Sequence, residues 1–135
     1  SHMIPGIIHR AHNCKQNNED FVIWGDGSPL RQFIHSKDLA KVILELINKP
    51  KPIEFGIYNY SNEGVASWYD FASAIMELGS LDCKVRPIET KDYPTPAKRP
   101  HYSVLNKSKI KTDFNIQIPN WRDSLDKCIE KLKSN

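Results

Sequence analysis

The stretch that decides the fold runs from Phe21 to Leu46, FVIWGDGSPLRQFIHSKDLAKVILEL. It reads as strand, tight turn, short strand and helix. Phe21-Val22-Ile23-Trp24 is a β-favouring run that stops at the turn signal Gly25-Asp26-Gly27. Leu39, Val42, Ile43 and Leu46 recur at i, i+3, i+4 and i+7, which predicts one apolar helical face. Ser36 is the expected N-cap, and Asp38 falls in the positively polarised first turn. Arg31 follows directly on the Gly/Pro turn, a position from which a guanidinium can reach a bound anion.

Working outward, residues 3 to about 17 read as a helix with Ile4, Ile7, Ile8 and Ala11 on one face and Pro5 tolerated in the first turn. On the other side, Lys49-Pro50-Lys51-Pro52 ends the second helix, because the residue before a proline is pushed out of helical geometry. Phe55 to Tyr60 reads as a strand. Ser67-Trp68-Tyr69-Asp70 resembles a capping box with Asp in place of Glu. Trp68, Phe71, Ala72, Ile75 and Leu78 then line one side of a helix that Gly79 is placed to end. Lys84 to Ile88 reads as a short strand. Residues 89–101, ETKDYPTPAKRPH, follow Pro87 and add Pro94, Pro96 and Pro100, which excludes a regular helix and predicts an extended, stiffened loop of the long kind that is often functional. A short helix around Lys107 to Phe114 precedes a final helix from Asn120, with Trp121, Leu125, Cys128, Ile129 and Leu132 on its apolar face. Strands alternate with helices, so the class is α/β.

At 135 residues the chain suits one domain with a real core, and 26% charged and 39% hydrophobic residues describe an ordinary globular composition. A formal charge of +3 spread over scattered lysines argues against a nucleic-acid partner. No apolar run approaches the ~20 residues that span a bilayer, and no signal-peptide pattern is present, so a membrane role is not expected and a cytoplasmic location is. Cys14, Cys83 and Cys128 are an odd number without close spacing, and they read as reduced thiols. Ser1-His2-Met3 has the form of a remnant of tag cleavage, yet it also reads as native sequence.

The chemistry-bearing residues are few. Neither G-x-G-x-x-G nor G-x-x-x-x-G-K-[ST] occurs, and there is no nucleophile elbow, which argues against a self-contained nucleotide-dependent enzyme. His9 and His12 share a helical face without a third ligand, so no metal site is expected. Trp24 ends a strand where its ring can stack on a flat partner or serve as a core or rim aromatic. Arg31 is suited to bidentate phosphate binding or to a solvated surface role, and Lys98-Arg99 in the proline-rich loop carries the same two readings.

Taken together, SHMIPGIIHRAH and VIWGDGSPLRQFIHSKDLA resemble GDP-L-fucose synthase, an extended short-chain dehydrogenase/reductase that epimerises and reduces a GDP-linked keto sugar. The pattern is His, then Ile-Pro, then a basic helix residue, then Trp-Gly-x-Gly-x-Pro-x-Arg-x-Phe. From about Phe55 the likeness changes. The Ser-Trp-Tyr-Asp-Phe-Ala helix and the run Pro-Thr-Pro-Ala-Lys-Arg-Pro, followed by Tyr-Ser-Val-Leu, look more like dTDP-4-dehydrorhamnose reductase. The two likenesses predict a single substrate-binding domain over 1–135, fucose-synthase-like over 1–50 and rhamnose-reductase-like over 55–132, with a junction at about 49–54.

The resemblance implies roles for matching positions. His2, if native, falls on the family's catalytic acid; Arg10 falls on a substrate-binding basic residue; Trp24 and Arg31 fall on residues that hold the nucleotide and diphosphate. A lysine-bearing loop of the fucose synthases near residue 98 is absent, and Lys98 or Arg99 stands where that substrate contact is lost. The family's NADP loop, its Ser/Thr and its Tyr-x-x-x-Lys pair have no counterpart, so the chain corresponds to the C-terminal substrate-binding region, lacking most of the Rossmann domain. The expectation is a chain that takes a GDP- or dTDP-linked sugar, binds no cofactor itself and is inactive alone. It is also expected to self-associate through the face that would meet the Rossmann domain. The alternative is a recombined folding module without ligand.

Overall fold

The computed structural model describes residues 3–24, 27–49, 56–88 and 100–134, with Met3, Ile4, Pro5 and Trp24 described by backbone alone. His2, Lys98 and Arg99 lie outside the described residues. The elements follow the order α1 (Met3–Asn17), β1 (Phe21–Trp24), β2 (Leu30–Arg31), α2 (Ser36–Ile47), α3 (Trp68–Gly79), β3 (Val85–Ile88), β4 (Tyr102–Ser103), α4 (Ser108–Phe114) and α5 (Trp121–Lys133).

Two small parallel pairings organise them. β1 lies beside β3 in the register Phe21–Val85 to Trp24–Ile88, and β2 beside β4 as Leu30–Tyr102 and Arg31–Ser103. Parallel strands need covering on their faces. α1 supplies Ile7 and Ala11, and α3 supplies Phe71, Ala72, Ala74, Ile75 and Met76, to one core that closes over Phe21 and Ile23. α5, packed against α3, adds Leu125 and Ile129. Phe33 is the aromatic hub of this core: it stacks on Phe71 at 4.1 Å and meets the edge of Trp68 at 5.2 Å, with Trp121 at 6.1 Å. A second, smaller core joins Val42 of α2 to Ile110, Phe114 and Ile116, with Leu46, Tyr58 and Tyr60 at its margin.

Helix ends follow local chemistry. The Ser67–Asp70 capping box is present in both directions: the Asp70 N–H donates to Ser67 Oγ at 3.1 Å, and the Ser67 N–H to Asp70 Oδ2 at 2.9 Å. Asn120 caps α5 by accepting from the Arg122 N–H at 2.9 Å. Asn18 leaves α1 with φ +55, and the Glu19 N–H returns to Cys14 O at 2.9 Å.

Four expectations need correction. His35, not Ser36, is the N-cap of α2; Ser36 is its first helical residue, and the side-chain cap bond expected of a serine there is not made. Gly79 is the last residue of α3 rather than its stop, and Ser80 takes the left-handed position at φ +52. Tyr58 to Tyr60, in the expected strand from Phe55, is not in a strand: the aromatic rings pack on α4 instead, and neither β1 nor β2 offers that segment a neighbour. Phe55 itself lies outside the described residues. Finally, two apolar faces are narrower than their periodicity implied. On α2 Val42 is buried while Ile43 is 46% exposed, and on α5 Leu132 is 54% exposed.

Candidate functional site

The site grows from the join between the two strand pairs. The Leu30 N–H donates to His101 O at 2.7 Å, which sets β4 against β2. Arg31 and Ala66 exchange backbone hydrogen bonds at 3.0 Å in both directions, tying β2 also to the segment leading into α3. The Arg31 backbone is thus held from two sides before its side chain is considered. That side chain is half-buried, and its Nη1 donates to Leu30 O at 2.8 Å and His101 O at 3.2 Å. Two bonds from one nitrogen fix the plane of the guanidinium. The position owes its geometry to the turn before it, where Gly27 adopts φ +87 and lies against the first turn of α3; a Cβ there would stand 3.6 Å from that of Tyr69.

Arg10 occupies a different place. Its Nη2 donates to Val22 O at 2.8 Å, and its guanidinium carbon sits 5.0 Å from the centre of the Phe21 ring. These contacts fasten α1 to β1, a structural task in addition to any ligand contact. Trp24 ends β1 opposite Ile88, and its side chain lies outside the described residues. Arg10 and Trp24 therefore belong to the β1–β3 pair, and Arg31 to the β2–β4 pair. The described chain resumes at Pro100, so His101, two positions beyond Arg99, is the point where the proline-rich loop meets Arg31. His101 was not among the expected site residues. Its contribution here is a backbone carbonyl, which no side-chain pattern announces.

Beneath this region runs a buried polar network. Asn62 is fully buried; its Nδ2 donates to Asp38 Oδ2 at 2.6 Å, Ser124 Oγ at 3.1 Å and Pro119 O at 3.3 Å, while its Oδ1 accepts from the His35 N–H at 2.8 Å. Ser124 Oγ also donates to Asp38 Oδ2 at 2.5 Å. Burial pushes the Asp38 carboxyl up, but the hydrogen bonds from Ser124 and Asn62, with the nearby charges of His35 and Lys127, outweigh it and leave the group below its ordinary value. Lys107, 7% exposed, donates to Asn62 O at 2.8 Å and pairs with Glu63 at 3.1 Å. Lys111 reaches the other Glu63 oxygen at 2.8 Å. The Lys111 hydrogen bond, opposed by burial and reinforced by Lys107, holds the Glu63 carboxyl below its usual range. An open hollow of about 330 Å³ lies over Glu63, Lys107, Lys111, Gln32 and Leu105, with its two lysines already charge-paired. His9 and His12 hydrogen-bond Asn13 and Gln16 along α1, and among the described residues no cluster of three His, Cys, Asp or Glu side chains is placed to hold a metal.

Residues 21–134 match the family model described as the RmlD substrate binding domain, and the match runs through residues 49–54. The chain is 36% identical over 108 residues to the spore coat polysaccharide biosynthesis protein SpsK of Bacillus subtilis, covering 80% of this chain and 35% of that protein. It is 41% identical over 76 residues to a GDP-L-fucose synthase of Dictyostelium discoideum, covering 56% and 24%. The crystal structure of a dTDP-4-dehydrorhamnose reductase from Clostridium acetobutylicum superposes with a TM-score of 0.76 at 31% identity, over 93% of this chain and 43% of that one. The chain thus spans about a quarter to just over two-fifths of these three proteins.

Proposed function

The chain belongs to the RmlD substrate-binding domain family, and from that membership we propose that it holds the nucleoside-diphosphate sugar of an NADP-dependent epimerase/reductase, as one substrate-binding unit over its whole length. The observation that carries the reading is Arg31. Both of its described side-chain bonds leave from Nη1, so the guanidinium is oriented in advance. Its remaining edge then suits the two oxygens of a diphosphate, for which a planar fork of donors is the matching shape. Trp24, at the end of β1, supplies the wall for a nucleobase, and Arg10 contacts the substrate while holding α1. Lys98 and Arg99, three and two positions before His101 in the sequence, are further candidates for the anion. His2, where native, contributes a proton during epimerisation.

Hydride transfer is outside the chain's own means. A nicotinamide dinucleotide requires a phosphate-cradling loop, and reduction of a ketone requires a proton donor such as a Tyr-x-x-x-Lys pair; these 135 residues contain neither. NADP therefore belongs to a separate part of the catalyst, and the chain alone binds without turning over. The partner face is α2, where Ile43, Leu44 and Ile47 are 46%, 59% and 70% exposed. An apolar strip of this kind promotes association of the isolated chain with itself.

Titration calorimetry with dTDP- and GDP-linked sugars tests the reading. The parent chain is expected to bind one of the two, and Arg31→Ala to weaken it at least about tenfold, the loss of one charge-assisted contact. Absence of binding by the parent would favour a recombined folding module with no ligand. Oxidation of NADPH by the chain alone would refute the division of labour.

A further inference from the structure

Two of the three cysteines, far apart in sequence, meet in the fold. Cys14 lies in the last turns of α1 and Cys83 in the segment before β3. Both thiols are half-buried and both are drawn to the short connection between α1 and β1: the Cys83 thiol donates to Glu19 O at 3.2 Å and the Cys14 thiol to Asp20 O at 3.8 Å. Those acceptors are consecutive carbonyls. The connection is itself pinned, by the Glu19 N–H to Cys14 O at 2.9 Å and the Phe21 N–H to Lys84 O at 2.9 Å, so both thiols are gathered on one fixed seam. Burial first, and then the nearby Cys14 sulfur, push the Cys83 thiol up. Cys128 is elsewhere, on α5, beside Phe33 and Phe71.

We propose that Cys14 and Cys83 form a redox modification site, a dithiol that small-molecule disulfides convert to an intramolecular disulfide joining α1 to the start of β3. One cysteine thiolate attacks the small disulfide, forming a mixed disulfide and releasing one small thiol. The second cysteine thiolate then attacks the protein sulfur of that mixed disulfide, closing the bridge and releasing the second small thiol. The protein loses two electrons and the reagent gains them, and the two cysteine protons end on the released thiols. The two thiols already bond consecutive carbonyls, so the closing attack joins groups that the fold gathers at one place.

The test uses the full chain with its thiols reduced, treated with excess oxidised glutathione in mildly alkaline buffer, then alkylated in denaturant, digested and mapped by mass spectrometry. The expected result is a crosslinked peptide pair containing Cys14 and Cys83, and a fall in alkylatable cysteines from three to one. The oxidised protein should melt roughly 5–15 °C higher than the reduced one, since the bridge closes a loop of about 70 residues, and dithiothreitol should reverse the change. The same oxidation in guanidinium separates folding from chain statistics: there the shorter span from Cys83 to Cys128, roughly 45 residues, is favoured about twofold over Cys14 to Cys83. Cys14→Ser should abolish the melting shift and Cys128→Ser preserve it. A bridge to Cys128 in the folded chain, separate glutathione adducts on Cys14 and Cys83, or three thiols left free would each overturn the proposal, and the unmutated chain alone is enough to distinguish these outcomes.

Discussion

Replacing Asn62 by Ala should be the most damaging single change of a polar side chain among the described residues. The amide is fully buried and serves four partners: Asp38, Ser124 and Pro119 accept from it, and the His35 N–H donates to it. Its removal costs one charge-assisted hydrogen bond, about 2 kcal/mol, and strands the backbone N–H of His35, the N-cap residue of α2, about 1 kcal/mol more. Ser124 still reaches Asp38, which limits the total to roughly 3–4 kcal/mol. For a chain of 135 residues the entropy of unfolding converts that to a fall in Tm of roughly 10–15 °C. Urea unfolding followed by circular dichroism gives the free energy directly, and the effect has a pH signature. Asp38 has a folded pKa below its unfolded value, so its stabilisation is present at neutral pH, above the unfolded value, and is lost as pH falls through the folded one. The gap between parent and Asn62→Ala should therefore narrow in acid. A loss under about 1 kcal/mol at neutral pH, or a gap that widens in acid, would refute the assignment of this network as the joint between α2 and α5.

Three further outcomes follow from the geometry. The Tyr60 hydroxyl is buried without a hydrogen-bond partner among the described residues, and burial, aided by Asp38 and Glu45, pushes it to about 12. Because that exceeds the value of an unfolded tyrosine, stability is intact below about pH 10 and lost as pH rises towards 12; Tyr60→Phe should remove this loss, gain up to about 1 kcal/mol at neutral pH, and delete the last phase of a tyrosinate absorbance titration. Gly64 stands at φ +84 with the Trp121 ring 2.8 Å from where a Cβ would lie, so Gly64→Ala should cost about 2–3 kcal/mol and reduce the urea midpoint accordingly. Ile47→Glu, at a position 70% exposed, should leave stability within about 0.5 kcal/mol while abolishing concentration-dependent mass in light scattering; a parent chain that is monomeric throughout would contradict self-association through α2.

The sequence was most legible where local chemistry acts alone. The Ser67–Asp70 box, the helix start at Asn120 and the buried line Phe71, Ala72 and Ile75 depend on neighbours within four residues, and local pattern finds them. Legibility fell where partners come from far along the chain. Tyr58 and Tyr60 have strand-forming character, but their rings are claimed by α4, more than forty residues later, and no local pattern records that. The exposure of Ile43 likewise depends on what α2 meets, not on its own spacing. At the candidate site, Arg31 stood out because a Gly/Pro turn precedes it, whereas His101 acts through a carbonyl and Asn62 through a burial that composition does not encode. Cys14 and Cys83 looked unrelated for the same reason: the connection that gathers their thiols is a tertiary fact.

Diphosphate binding by Arg31 is the core of the proposed function. It is tested most directly by a thermodynamic cycle that pairs one change in the protein with one in the ligand. Calorimetric affinities would be measured for the parent and Arg31→Ala, each with the nucleoside diphosphate and with the corresponding nucleoside. The diphosphate should strengthen binding to the parent at least about tenfold, or 1.4 kcal/mol, and most of that advantage should vanish in Arg31→Ala, while the nucleoside binds both alike. An equal diphosphate advantage in the two proteins would place the phosphates elsewhere and contradict the account.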